Sequence, residues 1–574
     1  MTQSDSTHAL GKSGENTGSS VAVVVALICW LLVAAASKWA YQPPSPLSVD
    51  SPTDVFSAER AEKHLQELVG DGIPHPAGSE QNKVVGDRVI AILRSMGYED
   101  VQEQNSSQPI RFSRELGEPQ SVPIRNLYAI KQGDSELGAV MLVCHYDSVP
   151  YGPGASDDGV GVAAVLEIAK MAQSFSEPGR DVVFMFTDGE EYGLLGAKAF
   201  VDENELVDEI EFVVNLEARG TSGSSLMFQT SNDSAQMISI FAKTAARPVS
   251  SSIFEEIYKR LPNDTDFTIF RDQAKMRGFN FAFIGDARNY HTPNDNFETA
   301  DRGSLQHHGQ NAWGLVKQLR SLPDLPTENR SVVYFDFFGR VLLSWNVNLA
   351  VVASGIVLVA YVVWFFVLNW GTQHSRLMGF GISLASIVGV IAFAVMVCWF
   401  LNFSFNLQER FRPPWVDCPE LVSLSFWSFG VTAAIWLSSW INVDEEKCWF
   451  VTWFCWSLIA VLVSSSVVGA SYLFLIPPLA AWVIRLMFSW VSSSISNILS
   501  TILAALIWMP IGVLFYEAMG FSMNGVLMFR IAFMISTLLP IVVATSKPNL
   551  GRLAIAGVAI SILMTCFAIG LNPV

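Results

Sequence analysis

From residue 336 to the end, the sequence is a succession of apolar runs near membrane-spanning length. No other feature restricts the fold as strongly. In lipid no water is available to satisfy backbone N–H and C=O groups, so an isolated run of about 20 apolar residues must be helical. The runs fall near 341–368, 378–401, 421–441, 449–469, 471–488, 496–516, 523–545 and 552–571. They predict an all-α membrane domain over 336–574 with about eight transmembrane helices. Pro477, Pro478, Pro510 and Pro540 lie inside these runs and blur their boundaries.

The N-terminus carries a further apolar run. Residues 1–20 are rich in Ser, Thr and Gly and predict a disordered polar tail. Residues 21–41 then read as an uncleaved transmembrane anchor: the run is long, contains Trp30 and follows few positive charges. The Pro-rich stretch "YQPPSPLSVDSPTD" predicts a stiff linker out of the membrane. A cytoplasmic N-terminus would put residues 42–335 outside, with Arg376, Lys447, Lys547 and Arg552 in cytoplasmic loops, as the positive-inside rule prefers. Arg410 and Arg412 would fall on the other side.

Residues 42–335 have the composition of a globular domain large enough for a full core. Its pattern alternates helix and strand. Val85, Val89, Ile92, Leu93 and Met96 recur at helical spacing and stop at Gly97. "AVMLVCHYDS", "DVVFMFTD", "EFVVNLEA" and "GFNFAFIGD" predict buried strands, and "DGVGVAAVLEIAKMAQ" an amphipathic helix. Such alternation predicts an α/β fold: a mixed, mostly parallel sheet flanked by helices. In such sheets ligands gather at the carboxyl ends of the strands. The net charge of −17, with no basic stripe, argues against a nucleic-acid partner. The domain holds one cysteine, Cys144, which excludes an internal disulfide, and no CxxC or Cys/His cluster occurs in the chain.

What stands at the strand ends is chemically coherent. "CHYDS" supplies His145 and Asp147, "ASDDG" Asp157 and Asp158, "DGEEYG" Glu190 and Glu191, "NLEARG" Glu217, and "NYHTPNDN" His291. Adjacent carboxylates at the mouth of an apolar strand repel one another and lose hydration, so a cation is expected beside them. Imidazoles and carboxylates without thiolate form the ligand set of a hydrolytic zinc site. Two divalent cations about 4 Å apart need one shared ligand and further ligands for each, and this set meets that demand. One glutamate of the pair would bind metal and the other would carry a proton. Singly, each piece is ordinary: "EE" pairs usually form solvated faces and "DDG" usually forms a turn.

The motifs "IPHPAGSEQN", "HYDSVPYGPGASDDGVGVAAVLE", "FTDGEEYGLLGAKAF", "NLEARGTSGSSLMFQTS", "NDTDFTIF" and "YHTPNDN" together resemble the co-catalytic di-zinc aminopeptidases of the bacterial leucyl aminopeptidase and glutamate carboxypeptidase type. The order of anchor, globular domain and later spans resembles their membrane-anchored branch, that of vacuolar and endoplasmic reticulum metallopeptidases. The resemblance covers about residues 56–320 and implies a fold of zinc exopeptidase type with two zinc ions per chain. It implies His145 and Glu217 on one zinc, Glu191 and His291 on the other, and Asp157 bridging both. Glu190 would be the general base and acid, Asp147 would orient His145, and Tyr290 would assist the oxyanion. Many soluble relatives carry Asp where Glu217 stands, whereas the membrane branch carries Glu.

The expected activity is peptide hydrolysis, foremost by an aminopeptidase, on the extracytoplasmic side. Its partners would be peptide substrates and the lipid bilayer; oligomeric state is not legible. A glutaminyl cyclase-like enzyme, with one zinc, or a non-catalytic binding protein on the same fold are the alternatives. Short loops between spans suggest a bacterial inner membrane with a periplasmic domain; the resemblance suggests instead a vacuolar or reticular membrane with a lumenal domain. Asp158 and Asp188 read as turn residues, and Asp266 as support near the site. Arg219 reads as a partner for a substrate carboxylate or for a structural ion pair. His75 reads as a loop residue, His307 and His308 as exposed helix residues. Glu517 is expected to reach the interface, and Arg530 either to snorkel or to mark a misplaced boundary.

Overall fold

The computed structural model describes residues 6–109, 121–134, 136–176, 178–232, 234–324, 330–367, 373–406, 419–488, 492–519 and 524–570. Arg410 and Arg412 lie outside the described residues. The chain divides into two compact units. One comprises residues 1–39 and 348–574, the other Ala40–Val347.

In the first unit, helix α1 (Ser6–Ala40) takes in the expected anchor and much of the segment expected to be unstructured, so residue 20 is not a helix boundary. Extending an existing helix costs far less than nucleating one.

The globular unit begins with α2 (Ala58–Val69) and α3 (Glu80–Ser95), each capped as its sequence dictates. The hydroxyl oxygens of Ser57 and Ser79 accept from the N–H groups of Arg60 and Asn82. Strands β1 (Gln102–Pro109), β2 (Ser121–Lys131) and β3 (Ala139–His145) follow, then α4 (Gly161–Ala172), β4 (Val182–Thr187) and α5 (Leu195–Glu203). Next come β5 (Ile210–Ala218), β6 (Leu226–Thr230), α6 (Ser234–Thr244), α7 (Ser252–Tyr258) and α8 (Asp266–Asp272). The unit closes with β7 (Arg277–Phe283), α9 (Arg302–Arg320), β8 (Val332–Phe337) and β9 (Val341–Asn346). Seven strands form one sheet in the order β1-β2-β4-β3-β5-β7-β6. The central four are parallel, while β1 pairs antiparallel with β2, β2 with β4, and β6 with β7.

Alternation along the central strands loads both faces. Val140, Leu142 and Cys144 join Leu65, Val89, Leu166 and Leu315 on one face. Met141 and Val143 join Phe200, Phe267 and Phe270 on the other. Helices α2, α3, α4, α6 and α9 therefore cover one face, and α5 and α8 the other. Helix α4, expected to be amphipathic, is buried on nearly every side, with Lys170 as its exposed residue.

The C-terminal boundary of this unit also differs from expectation. "VLLSWN", read as the start of a membrane span, is strand β9, paired antiparallel with β8. The globular unit thus extends to Val347 rather than to residue 335. Composition could not separate the two, because the strand's apolar residues run straight into those of the next helix.

In the first unit eight helices follow among the described residues: α10 (Val347–Val367), α11 (Gln373–Asn406), α12 (Pro419–Ser438), α13 (Glu445–Ser466), α14 (Ser471–Phe488), α15 (Ser493–Met519), α16 (Asn524–Val543) and α17 (Lys547–Gly570). Counting the N-terminal one, seven helices are long and apolar enough to cross a membrane, and the apolar parts of α12 and α16 are shorter. Helices α14, α15 and α16 continue through their prolines, and the carbonyl of Pro478 accepts the Tyr361 hydroxyl at 2.8 Å. Arg530 lies within α16 with its guanidinium 4.9 Å from the Trp427 ring centre. Glu517 falls in the last turn of α15.

Candidate metal centre

The residues expected to form the site lie near the ends of β3 and β5 or in the loops that follow β3, β4 and β7. His145 closes β3, Glu190 and Glu191 follow β4, and Glu217 is near the end of β5. Asp157 sits in the turn Ala155–Val160 before α4, and its peptide bond to Asp158 is cis. His291 lies in the loop after β7. The turn after β4 depends on Gly189, whose φ is +70° and whose Cβ would lie 2.5 Å from Ile124.

These side chains converge in two groups of three, and Asp157 belongs to both. Its Oδ1 lies 3.4 Å from His145 Nε2, which is also 3.7 Å from Glu217 Oε2. Its Oδ2 lies 3.1 Å from His291 Nε2, which is 3.0 Å from Glu191 Oε1. Within each group the donor atoms are all within 4.8 Å of one another. His145, Asp157 and Glu217 are buried, whereas His291 is 36% exposed and opens the site to solvent.

Surrounding polar groups fix this arrangement. His145 Nδ1 is 3.0 Å from the backbone carbonyl of Asp147 and 3.5 Å from its carboxylate. A proton on Nδ1 leaves Nε2 as a lone pair facing Asp157 and Glu217. The Asp147 carboxylate accepts the backbone N–H groups of Glu190 at 3.0 Å and Glu191 at 3.3 Å. It therefore holds the "GEE" turn as well as contacting the histidine. Asp188 shapes the same turn, accepting from Asn82 Nδ2 and from the Arg125 backbone. Asp158 caps Gly161 and belongs to neither group. Asp266, buried, accepts the Thr187 hydroxyl.

One important residue escaped the sequence reading. Asp295 is buried, and its carboxylate accepts the backbone N–H of Ser156 at 2.7 Å and of Asp157 at 3.2 Å. It anchors the turn that presents the shared aspartate. Its context, "TPNDN", has the composition of any polar turn, so nothing singled it out. His307 and His308 are buried, not exposed: the Ser225 N–H donates to His307 Nδ1, and the Ser225 hydroxyl lies 2.8 Å from His308 Nδ1. They tie α9 to the chain just before β6. His75 packs in its loop as expected, donating its backbone N–H to Ser148 Oγ.

The charges do not balance within the site. Burial pushes Glu217 up to about 8, against the pull of His145. Burial, aided by the charge of Asp157, pushes Glu191 up to about 7. Burial and then Glu217 raise Glu190 well above the usual carboxylate range. Burial opposes a charge on His291, but Asp157 and Glu191 lift it to about 9. Burial would raise Asp157, but hydrogen bonds from His145 and His291 hold it below its ordinary value. Glu191 Oε1 is buried and, among the described residues, faces His291 Nε2 at 3.0 Å. Such a cluster ionises fully only when more positive charge enters it. Imidazole nitrogens and carboxylate oxygens at these separations fit divalent cations of the zinc type.

Two groups of imidazole and carboxylate donors that share one aspartate make up a ligand set suited to metal ions. Residues 126–316 match the model of peptidase family M28. Among curated proteins, the chain is 27% identical to endoplasmic reticulum metallopeptidase 1 of Mus musculus over 374 residues, covering 60% of this chain and 41% of that protein. It is 32% identical to vacuolar membrane protease of Eremothecium gossypii over 289 residues, covering 48% of this chain and 28% of that one. The chain thus aligns with less than half the length of these relatives. Among solved structures, Porphyromonas gingivalis glutaminyl cyclase matches 46% of this chain and 99% of its own at 23% identity, TM-score 0.38. The aminopeptidase from Aneurinibacillus sp. strain AM-1 matches 48% of this chain and 97% of its own at 15% identity, TM-score 0.38.

Proposed function

We propose that this chain is a membrane-bound metallopeptidase that removes residues from the N-termini of peptides, using two zinc ions and Glu190. The observation that carries the reading is Asp157, which turns one carboxylate oxygen to each ligand group. His145 and Glu217 would complete one zinc site, Glu191 and His291 the other. Bound there, zinc lowers the pKa of water and polarises a carbonyl.

The chain's own residues supply the rest. Glu190 takes a proton from the attacking water as its oxygen bonds to the scissile carbonyl carbon. It then delivers that proton to the amide nitrogen as the C–N bond breaks. Its half-buried carboxyl, with a raised pKa, suits both halves of the task. Asp147 holds the Glu190 backbone in place. Tyr290, stacked on His291 at 3.7 Å between ring centres, would donate its hydroxyl proton in a hydrogen bond to the developing oxyanion.

We place the globular unit on the extracytoplasmic side. If each helix from α10 onward crosses once, this placement would put Arg376, Lys447, Lys547 and Arg552 on the cytoplasmic side, as the positive-inside rule prefers. The short connections α13–α14 and α16–α17 favour a bacterial inner membrane. The names of the relatives point instead to a reticular or vacuolar membrane.

The test is hydrolysis of amino-acid arylamides and short peptides by the purified full chain. Activity should stop with a chelator and return with zinc. Pyroglutamate formation without peptide cleavage would select the cyclase alternative, and chelator-insensitive cleavage would reject the metal reading.

A further inference from the structure

Arg219 stands two residues beyond Glu217, and its side chain is exposed. Its backbone continues the sheet, donating its N–H to the Phe283 carbonyl at 2.9 Å. The loop that follows is tied to the loop bearing His291: Thr221 N–H donates to the Gly285 carbonyl, and Asn289 Nδ2 to Thr221 Oγ1 at 2.9 Å. The guanidinium is thereby held 4.3 Å from the centre of the Tyr290 ring. That ring is stacked in turn on His291.

The result is an ordered column of guanidinium, phenol and imidazole at the rim of the metal centre. Among the described residues the Arg219 side chain forms no ion pair and no hydrogen bond. Asp286, on the facing loop, is engaged by the Ser222 hydroxyl and by Arg288. Arg125, Arg180, Arg271, Arg277 and Arg302, in contrast, all meet carboxylates. A guanidinium stacked on an aromatic face keeps its N–H edges free, and those edges match a carboxylate bidentately. Because the column is already ordered, little entropy is lost when an anion docks.

Resting on the peptidase reading, we propose that Arg219 binds the C-terminal carboxylate of the substrate, which makes the preferred substrates dipeptides and tripeptides with a free C-terminus. The two stacking contacts put the guanidinium no more than about 8 Å from the His291 ring centre, roughly the span of two extended residues. A longer peptide would carry its carboxylate past this point.

Binding tests this independently of turnover. The zinc-loaded full chain carrying Glu190→Gln is titrated calorimetrically with trialanine and with trialanine amide. The free acid should bind about tenfold or more tightly than the amide, the worth of one charge-assisted pair. Adding Arg219→Gln should abolish that preference by weakening the acid alone, with zinc content unchanged. Adding Arg219→Lys should restore part of it. Equal binding of acid and amide, binding of neither, or an equal loss for both in Arg219→Gln overturns the proposal. Failure of the peptidase reading would show separately, as absence of hydrolysis by the protein with Glu190 intact.

Discussion

Glu190→Gln replaces one carboxylate oxygen by an amide and leaves side-chain size unchanged. The backbone N–H that Glu190 donates to Asp147 remains, so the turn after β4 should keep its shape. Glu190 is in neither ligand group, so both should stay intact. What disappears is the site that accepts and returns the proton. General acid–base catalysis contributes about 10²–10⁴-fold, or roughly 3–5.5 kcal/mol of barrier. The expected result is a fall in kcat of that size, with zinc content as in the unaltered protein. Stability offers a second readout. Burial and neighbouring carboxylates raise the Glu190 pKa, so its ionised form opposes folding at neutral pH when metal is absent. The chelated variant should therefore melt no lower than the chelated parent. Arylamide hydrolysis, metal analysis and a thermal melt suffice. A kcat within about tenfold of the parent, with metal retained, would assign the base elsewhere.

Further expectations concern the ligands and their supports. His145→Ala and His291→Ala should each leave one ligand group whole, and metal analysis should find one zinc in each variant. Asp295→Ala removes the acceptor of two backbone N–H groups under Asp157, and zinc affinity measured by competition should fall about 10–100-fold. In the chelated protein the folded pKa values of Glu191, Glu217 and His291, about 7, 8 and 9, all lie above their ordinary values. Their contribution is complete at low pH and is lost as pH rises, between about 4.5 and 8 for the glutamates and 6.5 and 9 for the histidine. The chelated protein should therefore melt lower at pH 8 than at pH 6. Zinc needs deprotonated ligands, so the gain in melting temperature on adding zinc should be larger at pH 8.

The parts that sequence made legible are those where one residue's chemistry is unusual in its place. Carboxylates at the mouth of "DVVFMFT" and a histidine ending "AVMLVCH" contradict their surroundings, and the fold brings both to one point. Asp295 contradicts nothing, since an aspartate in a polar turn is ordinary. Strand β1, "QEQNSSQP", has no apolar alternation to announce it and is formed by pairing with β2. His307 and His308 look like solvent-facing helix residues until α9 is laid against the sheet, where the chain preceding β6 supplies their partners. Strand β9 was hidden by contiguity with α10, since a paired strand and a membrane helix share the same residue types.

Two metals sharing Asp157 is the claim on which the chemistry depends. Metal analysis of the purified full chain, paired with activity during stepwise removal and return of zinc, tests it most directly. Two zinc ions per chain are expected, with peptide hydrolysis lost as they leave and regained as they return. Full activity in a protein holding one metal or none would contradict it.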